Sequence, residues 1–339
     1  MNAKSKVIID CDPGIDDSLA LMLAITSKEM HILGITVVCG NVPVETGAEN
    51  VLKILKLMDR LDIPVYIGEA KPIVREYVSA QDTHGVDGLG GSNYPSVEIS
   101  EKNDPRGGIK REGAVEFIVK ALKEYPDTSI VALGPLTNLA RAIELDEEVF
   151  TNLKECVSMG GNYRSFGNCS PVAEYNYWCD PHAAKTVYKN FSKIGKKIHM
   201  VGLDVTRKIV LTPNILEYMK RLNPILGGFV EDITRFYFEF HWKQEKIIGC
   251  VINDPLAIAY FINKKICSGF SAYTDIETMG ITAGQSVVDS QGFYGFSPNS
   301  IILTEVDSFE FMKMFLIDVF LGEEEEVTFY LKEIGGRLL

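Results

Sequence analysis

The 339-residue chain has no apolar run approaching the roughly 18 residues needed to cross a bilayer, which argues against a membrane-spanning helix. It is poor in positive charge. Thirty-four Lys and Arg against 46 Asp and Glu give a net charge of −12, and that balance argues against binding nucleic acid or an anionic membrane surface. The opening residues, Met1 to Lys6, are polar and run straight into the first apolar segment, so no signal peptide is expected. The seven cysteines show no CxxC spacing, and an odd, unpatterned set reads as reduced thiols in a cytoplasmic protein. There is no Pro- or Ser-rich linker, low-complexity tract or internal repeat, so residues 1–339 are expected to form a single domain.

The apolar fraction, 46%, is ample for a large core. Short β-branched runs alternate with helically spaced ones. Strands are predicted at 7–9, 31–39, 63–67, 129–133, 157–159 and 198–203, and helices at 46–59, 112–124, 136–143, 181–190, 213–222, 225–243 and 256–261. Residues 266–306 read as strand-rich and 309–320 as helix. This alternation predicts an α/β fold with an open, mostly parallel sheet covered by helices on both faces. Residues 71–108 are rich in Gly, Pro, Ser and Asn and only weakly periodic, which predicts a long functional or mobile loop. Together with residues 223–253 it is expected to flank one mouth.

Asp10-Cys11-Asp12-Pro13-Gly14-Ile15-Asp16-Asp17 sets four carboxylates in eight positions, behind the strand Val7-Ile8-Ile9 and ahead of a run of helix formers. The acids therefore sit at the carboxyl end of a strand, the edge of an open α/β sheet where ligands bind. One Asp can simply cap the helix. Four around a Pro-Gly turn repel one another unless a cation sits among them or some keep their protons. A hard divalent ion, Ca²⁺ or Mg²⁺, is the simplest partner for such oxygen ligands.

This motif resembles the amino-terminal signature of the inosine-uridine-type nucleoside hydrolases, which cleave the N-glycosidic bond of ribonucleosides with a tightly held Ca²⁺. Further segments extend the resemblance, in family order, from residue 7 to about 262. They are Asn41 after the second strand, the His-Gly loop Gln81–Gly90, Leu133-Gly134-Pro135-Leu136-Thr137-Asn138, Asn168 with Pro171–Asn176, and Asn253-Asp254-Pro255. The resemblance implies a Rossmann-like core and Ca²⁺ held by Asp12, Asp17, Asp254 and the Leu133 carbonyl. It makes Asp12 the general base toward a Ca²⁺-oriented water, and leaves Asn41 to orient the water or Asp12. Asp16 is free to bond a ribose hydroxyl, and ribose hydroxyls complete the coordination that Asp254 shares. Asn168 and Glu174 would hold the 5′-hydroxyl and Asn176 the lower ribose hydroxyls. Glu174 and Asn176 alternate, so on an extended segment they would face the same side. A homo-oligomer, dimer or tetramer, is also implied.

Plainer readings stand beside these. Leu133 to Asn138 is an ordinary strand-to-helix turn, Asp254-Pro255 an N-cap with Pro at the first helical position, and His84 an exposed loop residue. Asp180-Pro181 is read only as a cap. One departure matters. Many purine-cleaving members carry His before the last metal-binding Asp, as acid for the leaving base; here the residue is Asn253, which has no useful proton to give. Help for the base must then come from His84 or from Phe236, Tyr237, Phe240 and His241 on the aromatic helix, some of which must be core instead. Pyrimidine or broad base preference is expected. The alternatives are a Mg²⁺-dependent phosphohydrolase, disfavoured because no Lys or Arg lies in the motifs, and a non-catalytic Ca²⁺-dependent nucleoside-binding protein.

Overall fold

The β-branched runs pair into one ten-stranded sheet. In the computed structural model, which describes residues 4–97, 108–110 and 113–338 (backbone only from 334 on), its strands are β1 (Ser5–Cys11), β2 (Met30–Val37), β3 (Pro64–Ile67), β4 (Gly108–Ile109), β5 (Ser129–Ala132), β6 (Cys156–Met159) and β7 (Ile198–Val201). A two-stranded ribbon of β8 (Val210–Leu211) and β9 (Cys250–Val251) stands apart. β10 (Cys267–Ile276), β11 (Ser286–Asp289) and β12 (Ser300–Val306) complete the large sheet, whose order is β11-β10-β12-β7-β6-β5-β1-β2-β3-β4. All pairings within it are parallel except those of β10. The strand-rich tail is thus an antiparallel extension of a parallel core.

Strand alternation divides the core into two layers. Val7, Ile9 and Cys11 face one apolar cluster, and Ile8 faces the other. On β5, Val131 joins the first and Ile130 and Ala132 the second. Such strands are buried on both faces, which is why they read as continuous apolar runs. Each fully buried Ile or Val contributes about 1.5–3 kcal/mol. The helix Ile15–Thr26 is buried from Ile15 to Ile25. A helix apolar on all sides must lie within the core, and this one packs against the helix Asp254–Ile262. The acids at its start are therefore carried inside with it.

Strand order reverses at β1. β5, β6 and β7 follow to one side and β2, β3 and β4 to the other. The crevice at the carboxyl ends of β1 and β5 is thus a topological switch point, the usual ligand position in such sheets. Most predicted elements fall where their periodicity puts them. Among the described residues, unpredicted elements include the α-helix Gln81–His84, which lies inside the expected loop, the α-helices Tyr175–Cys179, Leu203–Thr206 and Glu324–Leu338, and the two-residue strands β4, β8 and β9. Residues 98–107 of the expected loop and residue 112 of an expected helix lie outside the described residues. All seven cysteines are free. Among the described residues, no helix is long and apolar enough to cross a membrane.

Candidate active site

At the switch point the chain turns through Asp12-Pro13-Gly14, and Asp17 fastens the turn. Its carboxylate accepts the N–H groups of Asp12 (3.2 Å) and Gly14 (3.0 Å), and the Asn41 side-chain amide (3.0 Å). Asn41, just past β2, also donates its backbone N–H to Asp12 Oδ2 at 2.7 Å. Gly40 and Gly134 let their chains close over the Asp12 carboxylate, in space a side chain would fill. Asp12 is buried and its Oδ1 has no hydrogen-bond partner.

Asp16, Asp17 and Asp254 bring carboxylate oxygens within 4.8 Å of one another. The sequence grouped Asp12 with Asp17 and Asp254 and set Asp16 aside; here Asp16 stands in the close trio, and Asp12 adjoins it through Asp17. Asp254 is the first residue of its helix rather than a side-chain cap. Burial, then mutual repulsion, pushes the Asp12 and Asp254 carboxyls well above the carboxylate range, and burial pushes Asp17 up to about 6. Among the described residues no Lys or Arg pairs with these four. A buried, oxygen-only, acidic donor set with an orphaned acceptor suits a hard divalent cation. Asp10, the first acid of the motif, belongs to a different network. It accepts from Thr36 (2.5 Å) and from Asn138 (2.8 Å), so Asn138 is a structural partner.

Above the acids opens a cavity of about 490 Å³, whose lining includes Asp16, Asn41, Leu133, Asn168, Glu174, Asn176, Asn253 and Asp254. Glu174 and Asn176 do meet there, but not by strand alternation. Glu174 caps the short helix Tyr175–Cys179, accepting the N–H groups of Asn176 (2.8 Å), Tyr177 (3.2 Å) and Gly161 (2.9 Å). Burial raises its carboxyl to about 7. Asn176 donates to the Leu133 carbonyl at 2.7 Å, joining the expected ribose segment to the expected carbonyl ligand. Asn168 is exposed on the cavity wall. Asp180 is a cap, as its sequence suggests, accepting from the Ala183 N–H at 3.0 Å.

The lining also includes His84, whose Nδ1 lies 3.9 Å from Asp16 Oδ1, and, from the helix Pro224–Glu245, Tyr237, Phe240, His241, Gln244 and Glu245. These helical positions fall at i, i+3, i+4, i+7 and i+8 and share one face. Phe236, one residue out of phase, is outside this lining and 36% exposed. His84 is buried, not the exposed loop residue of the plainer reading. Its Nδ1 accepts the Ile15 N–H at 3.1 Å, so the ring hydrogen is on Nε2. His241 Nδ1 lies 3.0 Å from the Tyr237 carbonyl, which only accepts, so there Nδ1 carries the hydrogen. Burial lowers both imidazole pKa values, and both rings are neutral at pH 7. Asn253 points its side-chain amide at Asp16 (3.1 Å).

Sequence reasoning missed Phe166, Arg207, Gln244 and Glu245, all in the lining. Arg207 carried no motif, and with Lys208 beside it nothing in the sequence sets it apart. A larger cleft of about 670 Å³ opens beside the amino-terminal ends of β1 and β2, but none of the candidate residues lines it. The carboxyl-end cavity is the one with convergent polar groups and perturbed acids.

The family model described as inosine-uridine preferring nucleoside hydrolase matches residues 7–313. A pyrimidine-specific ribonucleoside hydrolase RihA from Salmonella typhimurium is 36% identical over 305 residues, covering 89% of this chain and 94% of the relative. The RihA of Salmonella gallinarum is 36% identical over 312 residues, covering 91% and 96%. Among solved structures, a purine-preferring ribonucleoside hydrolase from Gardnerella vaginalis superposes with a TM-score of 0.83 at 29% identity, covering 96% of this chain and all of that one. The plant nucleoside hydrolase PpNRh1 gives a TM-score of 0.85 at 27% identity, covering 94% and 100%. With its sheet, its acidic switch point and these matches, the chain belongs to the inosine-uridine preferring nucleoside hydrolase family and is a nucleoside N-ribohydrolase.

Proposed function

We propose that the chain hydrolyses pyrimidine ribonucleosides to free base and ribose with a resident Ca²⁺, in a single catalytic domain that assembles as a homo-oligomer. The observation that carries the reading is the buried carboxylate set beneath the cavity. Four acids with no Lys or Arg paired to them among the described residues need a positive partner. Asp12, Asp17, Asp254 and the Leu133 carbonyl would hold it, with Asp16 close enough to share the site. When bound, such an ion lowers the pKa of water and takes sugar hydroxyls as ligands.

N-glycoside hydrolysis passes through an oxocarbenium-like ribose. The chain must take a proton from the attacking water on one face and stabilise a departing base on the other. Asp12 suits the first task. One of its oxygens is fixed by the Asn41 N–H, and the other is free to accept a proton. Asp16, held by Asn253, accepts from a ribose hydroxyl. Asn168, Glu174 and Asn176 line the sugar side.

His84 suits the second task, but not as a strong acid. With Nδ1 accepting from Ile15, the ring presents a neutral Nε2–H, a donor able to hydrogen-bond negative charge building on the base. The unprotonated Nε2 of His241 offers an acceptor on the same wall. A neutral donor helps most where the base leaves without full protonation. Pyrimidine preference agrees with this and with the RihA relatives. The test is a panel of uridine, cytidine, inosine and p-nitrophenyl phosphate, assayed for reducing ribose and for phosphate. Release of ribose from uridine in excess of inosine is expected, with no phosphate released. Binding of uridine without ribose release would overturn the catalytic reading.

A further inference from the structure

We propose that Arg207 is a positioning residue, which clamps the loop presenting Asn168 and so governs recognition of the nucleoside's 5′-hydroxyl. This rests on the proposed function above. Residues 163–170 form no regular structure, so their backbone groups need partners from elsewhere. Gly167 and Asn168 turn their N–H groups to the Pro171 and Ala173 carbonyls (both 3.1 Å), and two side chains at one turn after β7, Leu203–Thr206 and the residue that follows it, meet most of the rest between 163 and 167. Asp204 collects the donors: the N–H groups of Tyr163 (2.6 Å), Arg164 (2.8 Å) and Ser165 (3.0 Å). Arg207 collects the acceptors: Ser165 Oγ (2.5 Å), the Phe166 carbonyl (2.5 Å) and the Gly167 carbonyl (3.2 Å). Its guanidinium also lies 3.8 Å from the centre of the Phe166 ring. Asn168 is the next residue along.

The clamp is itself aimed. Arg207 Nη2 lies 3.4 Å from Glu245 Oε1, at the end of the helix that carries Tyr237 and His241. One planar group thus ties the loop of the sugar side to the helix of the base side. Only a guanidinium has enough donors in one plane to reach three loop oxygens and a carboxylate together; an ammonium can serve only part of the set. The arrangement is a poor source of stability, because a partly desolvated ion pair returns little net energy. What it supplies is a fixed position for Asn168.

The test compares kcat/KM for uridine and 5′-deoxyuridine in wild type, Asn168→Ala, Arg207→Lys, Glu245→Gln and the Asn168→Ala/Arg207→Lys double variant. Wild type should favour uridine by on the order of tenfold or more, the scale of a lost polar contact in a built site. Arg207→Lys should bring that ratio toward one, mainly through KM, with kcat on 5′-deoxyuridine kept. Glu245→Gln, which keeps the loop bonds, should move the ratio in the same direction by a smaller factor. The double variant should match Asn168→Ala in this ratio, because both changes remove one contact. A ratio unchanged in both Arg207→Lys and Glu245→Gln, or additive losses in the double variant, overturns the proposal. So does a wild type indifferent to the 5′-hydroxyl. A wild type that cleaves no ribonucleoside overturns the functional reading instead, a separate result.

Discussion

Withdrawing the cation from the carboxylates should destabilise the fold by an amount that grows with pH. Asp17 is fully buried, and burial first, then Asp16, raises its carboxyl from 3.8 to about 6. At 1.36 kcal/mol per pKa unit, that gap is worth roughly 3 kcal/mol. The folded state holds this proton more tightly than the unfolded chain does. The contribution is therefore fully present below pH 3.8 and is lost as pH climbs through about 6. Asp12 and Asp254 are raised for the same cause and carry the loss further in the same direction. A bound cation pairs with the ionised carboxylates and removes the penalty, while protons compete with it at low pH. Over 339 residues the unfolding entropy is about 700 cal/mol/K, so 3 kcal/mol corresponds to about 4 °C in Tm. Thermal melts in excess Ca²⁺ and in excess calcium chelator, from about pH 4.5 to about pH 8, should diverge by about that much or more at the alkaline end and converge at the acid end. A gap that stays constant across this range, or no gap at pH 8, refutes the reasoning.

Asp12→Asn should lower kcat by about two or more orders of magnitude, the scale of general-base removal, while keeping more bound Ca²⁺ by metal analysis than Asp12→Ala. Uridine should exceed 2′-deoxyuridine in kcat/KM by about a hundredfold or more, since a buried polar site left unpaired is costly; equal turnover would contradict the assignment of the lower hydroxyls to the acidic floor. His84→Gln, which can keep an N–H near the position of Nε2, should retain more kcat on uridine than His84→Ala, with KM little changed in either. Asn253→His should raise inosine cleavage relative to uridine, because it puts a titratable group where the amide now holds Asp16; an unmoved ratio would show that this position does not govern the leaving base.

The parts of the site legible in the sequence are those where side-chain identity itself carries the constraint. Four acids behind a β-branched strand can be read because few backbones tolerate them, and the carboxyl edge of a mostly parallel sheet follows from the strand–helix alternation; the strand order that sets β1 beside β5 does not. Glu174 and Asn176 were the right residues joined by the wrong geometry. A five-residue helix is too short to show a 3.6-residue period, so the segment read as extended, and the cap that brings Glu174 to three N–H groups left no mark beyond the carboxylate itself. The aromatic helix shows a further limit. Its composition named Phe236, Tyr237, Phe240 and His241 together, and only the helical phase, fixed by packing against the core, separates Phe236 from the rest. Arg207 was least legible, for a physical reason. Two of its loop partners, at Phe166 and Gly167, are main-chain carbonyls, which every residue offers, and the third is a single serine hydroxyl, so nothing in the sequence of residues 163–167 records that a cation must come to meet them. Side chains that hold a loop through its backbone leave their signature only in the coordinates, and substitution at the loop itself would do little to expose them. This is why the test of the clamp changes Arg207 and Glu245, with Asn168→Ala as the reference for the contact they are proposed to hold in place.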